Sequence, residues 1–477
     1  MAKLPGQEEA KRIERRRMML EDPVSKVIPL VALPMVASML IDSIYNLADA
    51  YFVSSISQSA TAAVGINDSL MMLMRSISMG FGVGASSYLS RLLGAKRDEE
   101  ASRVGITTLL TGMATLIVFA VVCFSFMTPI LKLLGATPAA MPYSRDYMTY
   151  ILLAAPFTIG EVILSQMLRS EGSSRFAMFG ALCGCGLNCI LDPIFIRALD
   201  LGVAGAAMAT SISKVVSFCV LLSPFIKHTT VIHLNVKFFT PRWQTYKEVM
   251  RMGIPALLRM VTMTSSAIII NNLAGGFGDS SLASIAVSNK CARFIGSAIM
   301  GFGQGFQPVG GYSWGAKKYK RVLEAFRFAF VLGMICSVVV GALVAIFSRQ
   351  IIGVFSTAAD ADIIDLGSFM LATQCYVLPL HLGVMLLSGC YQALGMPIGT
   401  LIIGLSRSVI CLIPSALVLS YFFGEYGLAG AQAVSDVLAG IMAAIMFIRI
   451  IKLIRRKMAE PEEETIPDIM IEEGSFD

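Results

Sequence analysis

Three separate features of this chain recur at one spacing, which means that it contains the same unit twice. Pro34 in ALPMVASML and Pro255 in GIPALLRMV stand at matching places. Gly94-Ala95-Lys96 returns as Gly315-Ala316-Lys317 at the same offset, and the Gly202–Gly205 turn returns at Gly427–Gly430 at nearly that offset. The copies differ in one respect. Asp42 and Asp49 map onto Met263 and Ile270, and Asp192 maps onto Ile413 although its neighbour Pro193 keeps a match in Pro414. A carboxylate in an apolar helix costs roughly 2.5–3.5 kcal/mol on insertion scales. At these positions only the first copy carries that cost, which marks it as the specialised one.

Composition decides the medium. Of 477 residues 56% are hydrophobic and 15% charged, against about 25% charged in a soluble domain. Apolar runs of about 20 residues recur throughout, long enough to cross a hydrocarbon core of roughly 30 Å. A β-barrel would show short alternating strands instead. The chain reads as an all-α membrane protein. The segment ahead of the first apolar run mixes Glu8, Glu9, Glu14 and Glu21 with bases, so no cleavable signal peptide is expected. The net charge of +6 comes from bases between spans and does not indicate nucleic acid. The ten cysteines lie almost entirely inside spans; Cys183, Cys185 and Cys189 lack a metal-type spacing or a histidine, which reads as helix packing.

Twelve spans are expected, six in each copy. A basic N-terminal segment (1–26) precedes a first lobe (27–226), a linker (227–247), a second lobe (248–450) and an acidic tail (451–477). Lysine and arginine concentrate on one side, among them Arg15, Arg16, Arg91, Lys96, Arg169, Lys317 and Arg455; the other holds Lys132, Arg145, Arg197 and Arg349. The positive-inside rule then puts both termini in the cytoplasm. An even number of spans per copy gives both copies the same orientation, so their symmetry axis runs along the membrane normal.

Ser38, Asp42, Asn46 and Asp49 form one polar stripe on the first span, which lipid cannot satisfy. Asn188 and Asp192 share a face of the fifth span, where Pro193 removes a backbone donor. Asp49 and Asp192 fall in the same half of the bilayer and are placed so that they can meet. Two such carboxylates do not both ionise cheaply and take up a proton or small cation; the competing reading is packing specificity through hydrogen bonds. Arg75, Arg259 and Arg407 are near mid-span and are candidates for a ligand cleft, as are Met71 and Met74, with soft adaptable side chains, and Gln304 and Gln307 in GFGQGFQPVGG. Structural ion pairing is the alternative for each arginine, and plain packing for each methionine and for His381. GFGVGASS and GFGQGF lie inside spans, so a dinucleotide fold is excluded, and no GxxxxGK[ST] loop exists. Nothing here binds and splits ATP, and no enzyme motif is present.

The segments YNLADAYFV, LRSEGSSRFAM, LNCILDPIFI and LGVAGAAMAT resemble those of the MATE (multidrug and toxic compound extrusion) transporters, over nearly all twelve spans. The resemblance implies two six-helix lobes around a cleft, with alternating access. It implies a cation-coupling cluster of Asp49, Asn188, Asp192, Tyr147 and Thr210, to which Asp42 is added from its stripe, and a bending proline at Pro34. NorM-like members carry acids in spans seven and ten; here those spans offer Arg259, Gln374 and His381, so the MepA-like and DinF-like branch fits better. The expected function is export of amphiphilic organic cations or zwitterions in exchange for protons, or sodium, across a bacterial plasma membrane. The alternative is a flippase for lipid-linked saccharide or anionic lipid. No cofactor, metal or nucleic acid is expected; the partners are a small amphiphile and membrane lipid, and the protein is expected to be a monomer.

Overall fold

The computed structural model describes the backbone of residues 5–54, 58–355 and 361–459, and the side chains of 13–45, 62–354 and 361–459. These residues form helices and no strand. α1 (Pro5–Leu20) is polar and lies outside the apolar spans. α2 (Val24–Ser54), α3 (Gln58–Gly94) and α4 (Asp98–Ser125) follow, then a short connector, α5 (Met127–Leu133). α6 (Met141–Leu153) and α7 (Ala155–Ser170) form one span bent by 49°. α8 (Ser174–Pro193) runs into a π-helical turn, Ile194–Ala198, and α9 (Gly202–Ile226) completes the first lobe.

The second copy repeats the pattern. α10 (Trp243–Gly275), α11 (Asp279–Gly315) and α12 (Tyr319–Ile346) are followed by a connector, α13 (Ser348–Phe355). α14 (Ala361–Tyr376) and α15 (Leu378–Ala393) form a span bent by 52°. α16 (Pro397–Leu405) leads through a π turn, Ser406–Ile410, into α17 (Leu412–Ala459). α17 has 48 residues, too many for one crossing, and breaks at Gly424 (φ 61°), whose backbone conformation favours glycine. The two bends have one cause. Pro156 and Pro379 each stand in the first turn of the following helix, where a missing N–H costs nothing but continuation from the preceding helix is blocked.

By hydropathy and length, seven segments of the described residues qualify as membrane spans, or nine with the bent pairs. α3 and α11 are long enough, at 37 residues each, but too polar to pass; both pack against the other lobe. Burial explains the difference. Val118, Val121, Ile335 and Ile441 are exposed apolar residues on outer helices, where lipid replaces water. Ser78, Ser87, Ser90 and Ser313 are polar yet buried between helices.

The lobes meet through α2 against α11 and α3 against α10. These two contacts are the same contact made twice. A Cβ on Gly80 would touch Gly253 and Leu257, and one on Gly301 would overlap Val36, the counterpart of Leu257 in the repeat. At the basic end a Cβ on Gly94 would overlap the Tyr312 carbonyl, and one on Gly315 the Arg91 carbonyl. Without a hydrophobic force between helices in lipid, small residues permit the close approach that dispersion needs. Each long helix ends alike: Lys96 (φ 61°) and Lys317 (φ 56°) take the left-handed conformation, and the next amide caps back, Arg97 to Leu92 O at 3.0 Å and Lys318 to Ser313 O at 2.9 Å.

α1 lies across this closed end. Arg16 bonds Leu93 O at 3.4 Å and also pairs with Asp98 of α4. From the second lobe, Lys318 donates to Leu20 O at 3.2 Å, and Arg321 donates to Met19 O at 3.2 Å and Asp22 O at 2.7 Å. Met19 is fully buried. The N-terminal helix is therefore held by both lobes.

Candidate ion and substrate sites

Asp192 is 1% exposed, at the C-terminal end of α8 where Pro193 interrupts the hydrogen-bond ladder. Asn188, one turn earlier, donates through Nδ2 to Thr210 Oγ1 of α9 at 3.3 Å. With its amide turned over, it donates to Asp192 Oδ2 at 2.9 Å and accepts from the Thr210 amide at 3.1 Å; hydrogen bonding favours that orientation. The three residues form one buried oxygen-rich cluster on two adjacent helices. The equivalent of Asp192 in the second lobe is the apolar Ile413.

Tyr147 is also buried, on α6, and its hydroxyl reaches Met71 Sδ at 4.0 Å. Asp49 is on α2, which packs against α8, but its side chain lies outside the described residues. Asp42 keeps different company: Arg75 at 3.7 Å and Cys185 Sγ, which donates at 3.6 Å. Pro34 lies inside α2 and deprives the Leu30 carbonyl of its donor; Ser38 bonds the Pro34 carbonyl at 2.9 Å. Ser43 meets Ser297 of the second lobe at 2.6 Å, further along the same helix.

A second charged group pairs two intramembrane charges of the first lobe whose partnership the sequence does not show. Lys214 Nζ pairs with Glu161 Oε2 at 2.9 Å, and Ser217 donates to Glu161 Oε1 at 3.0 Å. Lys214 is one helical turn after Thr210 on the same face of α9, with its ammonium held by Glu161. The shared face was legible: a basic residue at i+4 from a polar candidate on an apolar helix is on the same face.

The remaining cleft candidates separate by their surroundings. Arg407 makes a two-point pair with Asp436, at 2.5 and 3.4 Å, and Asp436 is 2% exposed. Met74 is 2% exposed and belongs to the core rather than to a cleft wall; Met71 is partly buried beside it. Gln304 accepts from Arg169 of the first lobe at 2.8 Å, bridging the lobes. Arg259, Gln304 and Gln307 line one small pit between the lobes. His381 is buried. Among the described residues no cluster of histidine, cysteine or carboxylate suits a metal ion.

Below the cluster, Glu171 occupies the turn between α7 and α8 and is fully buried. It accepts from the Val231 amide at 2.8 Å and pairs with Arg15 at 3.6 Å. Burial pushes its carboxyl up to about 7, with Arg15 opposing. Sequence reading passed over it because its partners come from α1 and the inter-lobe linker.

Comparison with known proteins agrees with this architecture. The MatE family model matches residues 34–194 and 255–418, one match per lobe. The chain is 30% identical over 453 residues to "Multidrug export protein MepA" of Staphylococcus aureus (strain MSSA476), covering 94% of this chain and 97% of that one. It is 28% identical to the protein of that name from Staphylococcus haemolyticus, covering 90% and 94%. A solved structure described as the outward-facing conformation of a multidrug resistance MATE family transporter superposes with a TM-score of 0.88 at 25% identity, over 92% of this chain and 98% of that one. This chain belongs to the MATE family of membrane transporters and is not an enzyme.

Proposed function

We propose that this protein is a multidrug efflux antiporter that exports amphiphilic organic cations or zwitterions in exchange for protons. The observation that carries the reading is the buried Asp192–Asn188–Thr210 cluster in one lobe, facing an apolar equivalent in the other. A carboxyl with an amide and a hydroxyl at hand binds a proton, or sodium, at low desolvation cost. The name of the staphylococcal relatives supports drug export as the task.

In this reading the basic end is cytoplasmic and the closed lobes are the outward-facing state. Protonation of Asp192, together with Asp49 on the packed α2, removes charge and lets α2 bend at Pro34, which disfavours bound substrate. Deprotonation toward the cytoplasm resets the cycle. Each charge moved through about 100 mV contributes about 2.3 kcal/mol. The lipid-flippase alternative requires a free basic cleft in both lobes; Arg75 and Arg407 each face an acid instead. Everted vesicles containing the protein should accumulate a cationic dye under an imposed pH gradient. Asp192→Asn, correctly inserted, should lose at least about tenfold of that rate, since the variant carries no exchangeable proton. Unchanged uptake by the variant, or uptake driven by sodium alone, contradicts the proton reading.

A further inference from the structure

Three arginines lie near mid-span, and their surroundings differ. Arg75 faces Asp42 and Arg407 faces Asp436. Arg259 has no acid within ion-pair distance among the described residues, and its buried Nε donates to no acceptor there. It lines a pit between the lobes, with room for about one water-sized group, some 20 Å³, together with Val83, Gln304, Gln307, Ser388 and Gln392. Gln307 is 4% exposed, and its buried Nε2 also lacks an acceptor among the described residues. No carboxylate lines the pit. Gln304 turns its own acceptor oxygen toward Arg169. Among the described residues the pit is thus lined by an arginine with no acid beside it and an idle Nε, and by one unsatisfied amide donor.

An unpaired, half-buried cation is expensive, and two idle donors beside a space that admits one water-sized group suit the leading oxygen of a carboxylate presented from the cleft. A guanidinium matches a carboxylate in a planar fork, whereas an ammonium does not. We propose that this pit binds the carboxylate of a zwitterionic amphiphile, with Arg259 and Gln307 as its donors. The inference rests on the efflux reading and narrows it: the second lobe selects substrates that carry an acid as well as a base.

The test compares two dyes that differ at one group: rhodamine 110, with a free carboxylate, and rhodamine 123, its methyl ester. Dissociation constants for both are measured by fluorescence polarisation on the full-length protein in nanodiscs. The readout is the ratio of Kd for rhodamine 110 to Kd for rhodamine 123. In Arg259→Gln the ratio should rise about tenfold or more, the loss expected for a charge-assisted hydrogen bond. In Gln307→Glu a tethered carboxylate fills the pit and compensates Arg259, so the fold is retained and the ratio should rise likewise. Arg259→Lys, which keeps charge without the fork, should fall between. A ratio at the wild-type value in Gln307→Glu overturns the proposal, whether or not Arg259→Gln folds. If neither dye accumulates in everted vesicles, the efflux reading fails; if rhodamine 123 accumulates and the ratios do not move, only the pit does.

Discussion

At the scale of a residue, Glu171 shows how burial writes a pH dependence into a loop. Its carboxyl is raised from 4.5 to about 7 by desolvation, which Arg15 and the Val231 and Ile232 amides only partly offset. The folded protein therefore holds a proton that the unfolded chain has already released between about 4.5 and 7. Stability contributed here is greatest below the unfolded value and declines as pH rises through that window. Thermal unfolding in detergent should show Tm falling from pH 5 to pH 8 in the wild type, with a flatter profile in Glu171→Gln. Arg15→Ala should steepen the fall, because the cation that holds the carboxylate is gone. A profile in Glu171→Gln as steep as the wild type contradicts the assignment.

At the scale of an element, the paired glycines set how closely α3 and α11 approach at the basic end. Gly94 and Gly315 lie against carbonyls of the opposite lobe, where a side chain has no space. Gly94→Val or Gly315→Val should penalise this closed form by about 1–3 kcal/mol, a typical overpacking cost. That shifts the equilibrium toward the form open at this end by roughly 5- to 150-fold. Spin labels at Arg97 and Lys318 should report the change as growth of the longer-distance population. Because the two contacts are symmetric, either substitution should give the same direction.

Much of this level was legible beforehand. The constant offset between the copies gave the duplication and the recurrence of Gly94-Ala95-Lys96 as Gly315-Ala316-Lys317, whereas the close approach of those glycines and the left-handed lysines came with the structure. Apolar length gave the helical membrane architecture; seven segments of the described residues, or nine with the bent pairs, pass on hydropathy, and α3 and α11 are long enough but too polar. What was not legible was partnership. Arg407 reads the same in sequence whether it faces a ligand or Asp436, and Glu161 gives no sign of Lys214, because such pairings depend on helix rotation about the axis. Met74 failed for a related reason: a methionine on a cleft wall and one in the core share composition but not direction.

At the scale of the molecule, α1 joins two lobes that are otherwise held by helix faces. Lys318 and Arg321 bind its last carbonyls from one side, and Arg16 binds Leu93 and Asp98 from the other. Charge-assisted bonds of this type contribute about 1.5–3 kcal/mol each. Lys318→Ala with Arg321→Ala should release the helix, and trypsin should cut after Arg16 and Arg17 at least about tenfold faster. Equal cleavage rates would mean that burial of Met19 alone holds α1 in place.

The repeated seam has a consequence for how such a molecule can change. Where Gly94 abuts one carbonyl, Gly315 abuts its mirror counterpart, so any alteration in one gene half is judged by the fit of the other. Duplicates are tied together along that line and released away from it. Asp192 and Ile413 belong to the released part, where a carboxylate in one half stands opposite an alkyl side chain in the sequence of its twin.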